Sequence, residues 1–458
     1  MGISDAVFND LIKIAGKNHV TKSMEDLVCY AYDASSSSFM PEAVVFPSNS
    51  AEISEIFHLA AKAFFNIIPR GSGSGMTGGA LPVNGGLVMA LSRMNKIIDI
   101  DQDNFTAVVE PGVITQDLHR AVEEKGLFYP PDPASSSFCT IGGNVAECAG
   151  GPRAVKYGVT RDYVLGLEAV LPSGKIIHTG VKTAKGVAGY DLTRLIVGSE
   201  GTLAVVTKII LKLLPLPETI KTMAVLFPSM EKAARTVSAV IQNAVVPRCI
   251  EYMDKASIQC VAQDFTFPVS RDTSAILILE VDGDSEMVEK KAKKLESVCF
   301  SNGASRVFTA ENQKQANDLW KARKALSPTL FSLAPNKINE DIVVPINKIP
   351  KMVEKIQEIQ ESSKLLLVSF GHAGDGNIHC NIMYNKRDEN QSEKAEKAVA
   401  RLFEETLALG GTITGEHGIG ITKKKYLGLE IGDTELDIMK QIKQVFDPDN
   451  ILNPGKIF

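Results

Sequence analysis

Apolar residues recur at helical spacing over residues 5–17, which predicts one amphipathic helix, and a serine run, Ser35 to Ser38, breaks the pattern as a loop. From Ala43 the pattern becomes strand, helix, strand: AVVF, a helical period over residues 51–63, then NIIPRG. Such alternation argues for α/β or α+β. At Leu-Pro-Leu-Pro, residues 214–217, the texture changes and a domain boundary is expected. Beyond it, strand-like runs at 223–227, 276–281 and 342–344 alternate with helical patterns at 230–243, 286–300, 311–333 and 349–362. A further helix at 393–409 closes this glycine-poor stretch, which suits an α+β cap over an antiparallel sheet. The chain then turns glycine-rich from Gly410 and ends in a helix at 434–446 followed by DPDNILNPGKIF. The expected organisation is an N-terminal helical segment (1–40), a first domain (41–217), a cap domain (218–410) and a C-terminal segment (411–458) that completes the site.

One hairpin carries chemistry. Asp375-Gly376 is the strongest short hairpin signal, a two-residue type I′ loop, and its flanks at 365–370 and 378–383 read as strands. In that register His372 stands opposite His379, and directly opposed residues share one face. A second string, GEHG from Gly415 to Gly418, adds Glu416 and His417. Two histidines and a carboxylate make a ligand set for a divalent ion such as zinc or iron, with coordination positions left open and His417 as a spare base. Any one of these histidines alone reads as an ordinary polar residue; the convergence of the set is what favours the ion.

Composition narrows the class. The chain has 458 residues, 44% hydrophobic and 22% charged, as expected of a folded protein of two or three domains. A net charge of -5 gives no general attraction to nucleic acid or an anionic membrane. No apolar run is long enough for a transmembrane segment, and the N-terminus lacks a basic end followed by an apolar stretch, so a cytoplasmic location is expected, with any membrane association made through a partner. Seven scattered cysteines with no C-x-x-C pair make neither a disulfide framework nor an iron–sulfur site.

Glycine is dense in PRGSGSGMTGG, Pro69 to Gly79, where exposed N–H groups can form a nest for a pyrophosphate. The loop is not a Walker motif, and it misses the third glycine of a dinucleotide fingerprint. The segment PPDPASSSFCTIGGNVAECAGGPRAVKYG, residues 130–158, with DYVLGLEAVLPSGKII and GYDLTRLIVGSEGTLAVVTKIILKLLP, resembles the flavin oxidoreductases related to vanillyl-alcohol oxidase and p-cresol methylhydroxylase. GHAGDGNIHCNI, GEHGIG and DPDNILNPGKIF are similar to the D-2-hydroxy-acid dehydrogenases of that superfamily, the FAD-linked D-lactate dehydrogenases and glycolate oxidase catalytic subunits.

The resemblance implies an α+β fold: a p-cresol methylhydroxylase-type FAD-binding domain of two α+β subdomains, with a cap domain and a returning C-terminal segment. It implies that the loop Pro69, Arg70, Gly71, Ser72, Gly73, Ser74 and Gly75 holds the FAD pyrophosphate. Pro133, Ser135, Thr140, Gly143, Asn144, Gly150 and Tyr157 would line the adenine–ribityl path, with Glu200, Gly201 and Val206 beside the cofactor and Asn453 returning to the flavin domain. Covalent relatives place a histidine in the first glycine loop; Ser74 and Gly75 stand there in this chain, which implies dissociable FAD. His372, His379 and Glu416 would hold zinc, iron or manganese, His417 would be the catalytic base, and Arg323 in Trp-Lys-Ala-Arg would grip the substrate carboxylate. Lys337 is followed by Ile-Asn-Glu-Asp and does not complete a recognisable clamp for a second carboxylate, so a small 2-hydroxy monocarboxylate is expected. With no cluster to receive electrons, the implied acceptor is an electron-transfer flavoprotein, an iron–sulfur subunit or a quinone, with a protein partner expected first and direct use of oxygen as the alternative. The resemblance thus implies FAD-dependent, metal-assisted oxidation of a D-2-hydroxy acid, D-lactate first and glycolate second; the alternatives are a glycolate oxidase catalytic subunit, an alkyl-glycerone-phosphate synthase type of enzyme, and a non-catalytic flavoprotein subunit.

Overall fold

A computed structural model describes residues 2–458. The described residues form two units: one of residues 2–150, 159–216 and 416–458, and one of residues 151–158 and 217–415.

The first unit contains two main sheets. One has four strands in the order Val20–Thr21, Ala43–Val45, Leu87–Ala90, Ile67–Arg70, with the last three parallel. Helices Asp5–Ala15 and Ser50–Ala63 bury their apolar stripes on this sheet, around Leu11, Ile53, Phe57, Ile67 and Leu87. Their starts are set locally: the Ser4 hydroxyl accepts from the Val7 N–H and the Asn49 side chain from the Glu52 N–H, one orphan donor satisfied at each N-terminus. The C-terminal residues 451–453 extend the same sheet, since Ile67 donates to the Ile451 carbonyl and Asn453 to the Ile67 carbonyl. The other sheet has five antiparallel strands in the order Ile97–Asp101, Thr106–Val109, Val205–Lys212, Val164–Val170, Ile176–Gly180. Along Val205–Lys212 buried and more exposed residues alternate, the period-two signature of a sheet with one face covered.

The second unit is built on a seven-stranded antiparallel sheet, in the order Arg306–Thr309, Thr219–Phe227, Ala275–Gly283, Cys249–Asp254, Leu366–His372, Asn377–Tyr384, Asn336–Val343. The central strand Ala275–Gly283 is buried almost throughout, which explains the apolar run that opens it, Ala-Ile-Leu-Ile-Leu. Helices Lys255–Val261 and Gln313–Thr329 pack on Ala224, Met253, Ile278, Val368 and Phe370. The helix expected over 311–333 starts two residues later, where Asn312 caps it, and ends at Thr329, just past Pro328.

The hairpin differs from its expected register. Phe370, not His372, stands opposite His379, and the strands end at His372 and Asn377, leaving residues 373–376 as the loop. A type I′ turn needs positive φ at both central residues, and only Gly376 has one, +89°; Asp375 does not. Neighbouring strands hold the longer loop: Gly374 donates to the Ile250 carbonyl, 3.2 Å, and Val344 to the Gly376 carbonyl, 3.1 Å. Because the register moves by two, an even number, both histidines keep the same face.

Candidate functional site

In the first unit one cleft collects most of the residues expected to hold FAD. Pro69, Arg70, Gly71, Ser72, Gly73, Ser74, Gly75, Pro133, Ser135, Thr140, Gly143, Asn144, Glu200, Gly201 and Val206 line it, together with Glu416 and His417. The cleft is a cradle of bare backbone: a Cβ on Gly71 would lie 2.5 Å from the Thr140 hydroxyl, and one on Gly73, where φ is +69°, would run into the Arg70 guanidinium. Buried Arg70 donates through Nη2 to the Tyr32 carbonyl, 2.7 Å, while its Nη1 has no hydrogen-bond partner among the described residues. A cradle with a buried, half-used guanidinium suits a pyrophosphate, so the residues present fit FAD. Gly150 lies beside this wall, where an added Cβ would sit 2.9 Å from Glu416 Oε2. Asn453 donates to the carbonyls of Gly79 and Glu200, both at 2.9 Å, and so pins the C-terminus to the cleft wall. Tyr157 belongs to the second unit, where its hydroxyl donates to Asp282 at 2.7 Å.

The GEHG string is held from below. Glu200 has φ of +53° and a fully buried carboxylate that accepts the N–H groups of Ile419, 2.8 Å, and Gly420, 2.7 Å. Burial pushes its carboxyl up from the ordinary value, against the two amides and the charges of Lys423 and Lys456. The Thr77 hydroxyl donates to the His417 carbonyl at 3.0 Å. Lys456 donates to the Leu81 carbonyl and Asn453 Oδ1, and burial lowers its amine to about 8.

In the second unit His372 and His379 bring their Nε2 atoms to 3.4 Å with their rings nearly perpendicular. Two nitrogens bound to one tetrahedral zinc at ~2.05 Å would lie about 3.3 Å apart, so this pair has the spacing of two ligands of one ion. His372 Nδ1 is 2.5 Å from the buried carboxylate of Glu251, the outer partner that fixes a ligating imidazole. Both rings are buried, and the donor set fits a divalent ion. Gly415, the last residue of this unit, donates its N–H to Asp341 Oδ2 at 2.9 Å; Asp341 is the strand partner of His379. Glu416 is the next residue along the chain.

Arg323 is buried on the helix Gln313–Thr329, its Nη2 2.7 Å from Glu251 Oε2 and its guanidinium over the Phe370 ring. Its Nε has no hydrogen-bond partner among the described residues. Lys337 donates to the carbonyl and hydroxyl of Ser327, one turn beyond Arg323, and burial lowers its amine to about 8.

Sequence reasoning missed Glu251, Asp341 and Thr77. The signal for Glu251 was present: a lone carboxylate inside the apolar run Cys-Ile-Glu-Tyr-Met, which a buried strand tolerates only with partners.

Comparison with known proteins gives a consistent picture. Residues 216–457 match the family described as FAD linked oxidases, C-terminal domain, and residues 41–180 the FAD binding domain family. The glycolate oxidase subunit GlcD of Bacillus subtilis (strain 168) is 45% identical over 457 residues, 100% of this chain and 97% of that protein. A D-lactate dehydrogenase of Anaerostipes hadrus is 35% identical over 425 residues, 91% of this chain and 89% of that one. Substrate-bound p-cresol methylhydroxylase superposes with a TM-score of 0.81 at 20% identity, over 100% of this chain and 98% of that one. Alkyldihydroxyacetonephosphate synthase follows at 0.78 and 18% identity, over 98% of this chain and 84% of that one. The mixed helix-and-sheet fold of these flavoproteins, implied by the sequence resemblance, is the fold of this chain. No helix among the described residues is long and apolar enough to cross a membrane.

Proposed function

We infer a substrate and a division of labour from one premise: the chain belongs to the FAD-linked oxidases, as an oxidoreductase of the D-lactate dehydrogenase and glycolate oxidase subunit type. The proposed reaction is oxidation of a small D-2-hydroxy acid, D-lactate first, to the 2-oxo acid. The observation that carries this reading is the buried His372–His379 pair at 3.4 Å, backed by Glu251 and accompanied by a buried arginine.

When bound, FAD supplies the hydride acceptor and a divalent metal the Lewis acid that lowers the substrate hydroxyl pKa. The glycine loop 71–75, with Arg70 beside it, would hold the pyrophosphate of a non-covalently bound FAD. His372, His379 and Glu416 are the residues that would hold the metal. Arg323 takes the substrate carboxylate and so orients C2–H. His417 accepts the hydroxyl proton at its imidazole, a task worth typically ~10²–10⁴-fold. All seven cysteines are free and the chain has no cluster motif, so the electrons pass to a partner, an electron-transfer flavoprotein or an iron–sulfur subunit. The glycolate reading is favoured by a different observation, the 45% identity to a glycolate oxidase subunit across the whole chain.

Anaerobic mixing of FAD-loaded protein with D-lactate, L-lactate, glycolate and D-2-hydroxyglutarate tests this, read as bleaching near ~450 nm. Fastest bleaching by D-lactate, loss of it after chelation, recovery with metal, and its absence in His372→Ala are expected. Bleaching indifferent to chelation and to His372→Ala refutes the metal role. No bleaching by any of the acids refutes the enzyme and leaves a non-catalytic subunit.

A further inference from the structure

Glu251 touches both halves of the second unit's polar cluster. It stands on the strand Cys249–Asp254 directly across from His372 in the ladder, so the two side chains share a face by register alone. Oε1 meets His372 Nδ1 at 2.5 Å and Oε2 meets Arg323 Nη2 at 2.7 Å, and the side chain is completely buried. Two strand positions away Phe370, itself paired with His379 across the hairpin, carries the Arg323 guanidinium on its ring face. The contacts therefore close a loop: His372, Glu251, Arg323, Phe370, His379.

We propose that Glu251 is a positioning residue that couples metal binding to recognition of the substrate carboxylate, acting through His372 on one side and Arg323 on the other. The inference rests on the metal and arginine roles given under Proposed function. Its chemistry follows from the arrangement. A carboxylate accepting the Nδ1 proton fixes the imidazole tautomer that presents the Nε2 lone pair to an ion, and raises its basicity. The same carboxylate occupies only one guanidinium nitrogen, Nη2, and leaves the Arg323 Nε–H unpaired for an incoming acceptor. The buried Glu251 charge is balanced by the Arg323 guanidinium, so loss of that arginine would leave an unpaired buried carboxylate beside His372.

The test compares wild type with Glu251→Gln, which keeps an acceptor of the same shape and removes the charge. The chelated, FAD-loaded proteins are titrated with zinc alone, and kcat and KM for D-lactate are measured at saturating metal. The expected results are zinc affinity weaker by roughly 10–100-fold, and a KM raised more than kcat is lowered, with FAD content unchanged. Wild-type-like zinc affinity and KM in Glu251→Gln overturn the assignment. A wild type that takes up no zinc refutes the metal reading itself, a distinct outcome. A third measurement needs no Glu251 variant: the wild-type proton spectrum should contain a downfield Nδ1–H resonance that is absent from His372→Gln. If Glu251→Gln does not fold, absence of that resonance from wild type overturns the proposal and its presence supports it.

Discussion

Replacing Glu200 by glutamine isolates what holds the GEHG string in place. In the wild type one buried carboxylate accepts two backbone N–H groups, from Ile419 at 2.8 Å and Gly420 at 2.7 Å. Glutamine keeps one acceptor oxygen and turns an NH2 toward the second amide, so one charge-assisted bond is lost and a buried donor is stranded. Hydrogen bonds to charged groups contribute ~1.5–3 kcal/mol, and Glu200→Gln should cost the segment about 2 kcal/mol of local stability. At 1.4 kcal/mol per decade, that is roughly 30-fold faster amide exchange. The assay is hydrogen–deuterium exchange of a peptide covering residues 415–421. Exchange in the strand Val205–Lys212 is the internal control, because it depends on none of these contacts. The downstream expectation is a fall in kcat, since the same string carries Glu416 and His417. Exchange of 415–421 within twofold of wild type, in a protein that retains FAD, would refute the claim that Glu200 clamps this string.

Three further outcomes are expected. Gly71→Ala places a methyl 2.5 Å from the Thr140 hydroxyl, which itself caps the Gly143 N–H, and FAD retention measured by released flavin fluorescence should fall at least ~10-fold. Gly376→Ala puts an alanine at φ of +89° with its methyl against the Val344 carbonyl; a cost of ~1–3 kcal/mol should lower the unfolding midpoint and zinc uptake together, and unchanged values of both would contradict the loop geometry. For Lys456 the folded amine sits at about 8 against an ordinary 10.5, so between these values the folded chain binds fewer protons than the unfolded one. Stability is therefore lowest below about 8 and rises through the window, by at most ~1.4 kcal/mol per pH unit; urea midpoints at pH 8, 9 and 10 should climb less steeply in Lys456→Met than in wild type.

What the sequence disclosed and what it withheld divide along a physical line. Helices at 50–63, 230–242, 285–301 and 433–446 were legible because an amphipathic period is local to each segment, and the first two also carry a capping Asn49 or Ser229. The hairpin was legible in existence and in face, since both follow from alternation, but its register was not. Asp-Gly advertises a two-residue turn on its own, while the actual loop is drawn out by backbone bonds to Ile250 and Val344, more than a hundred residues upstream for the first and some thirty for the second. Glu251 shows the same limit more sharply. Its identity is local, but its meaning depends on a strand partner at 372 and a helix residue at 323, and no window of sequence contains all three. The residues proposed to touch an ion or a substrate fall within short motifs with unusual residue types; those proposed to aim them sit on distant elements and look ordinary. That division makes the aiming residues the informative ones to mutate. Loss of His372 would report only that a ligand is missing, whereas loss of charge at Glu251, with both histidines and Arg323 intact, separates holding an ion from holding it in the geometry that serves the substrate.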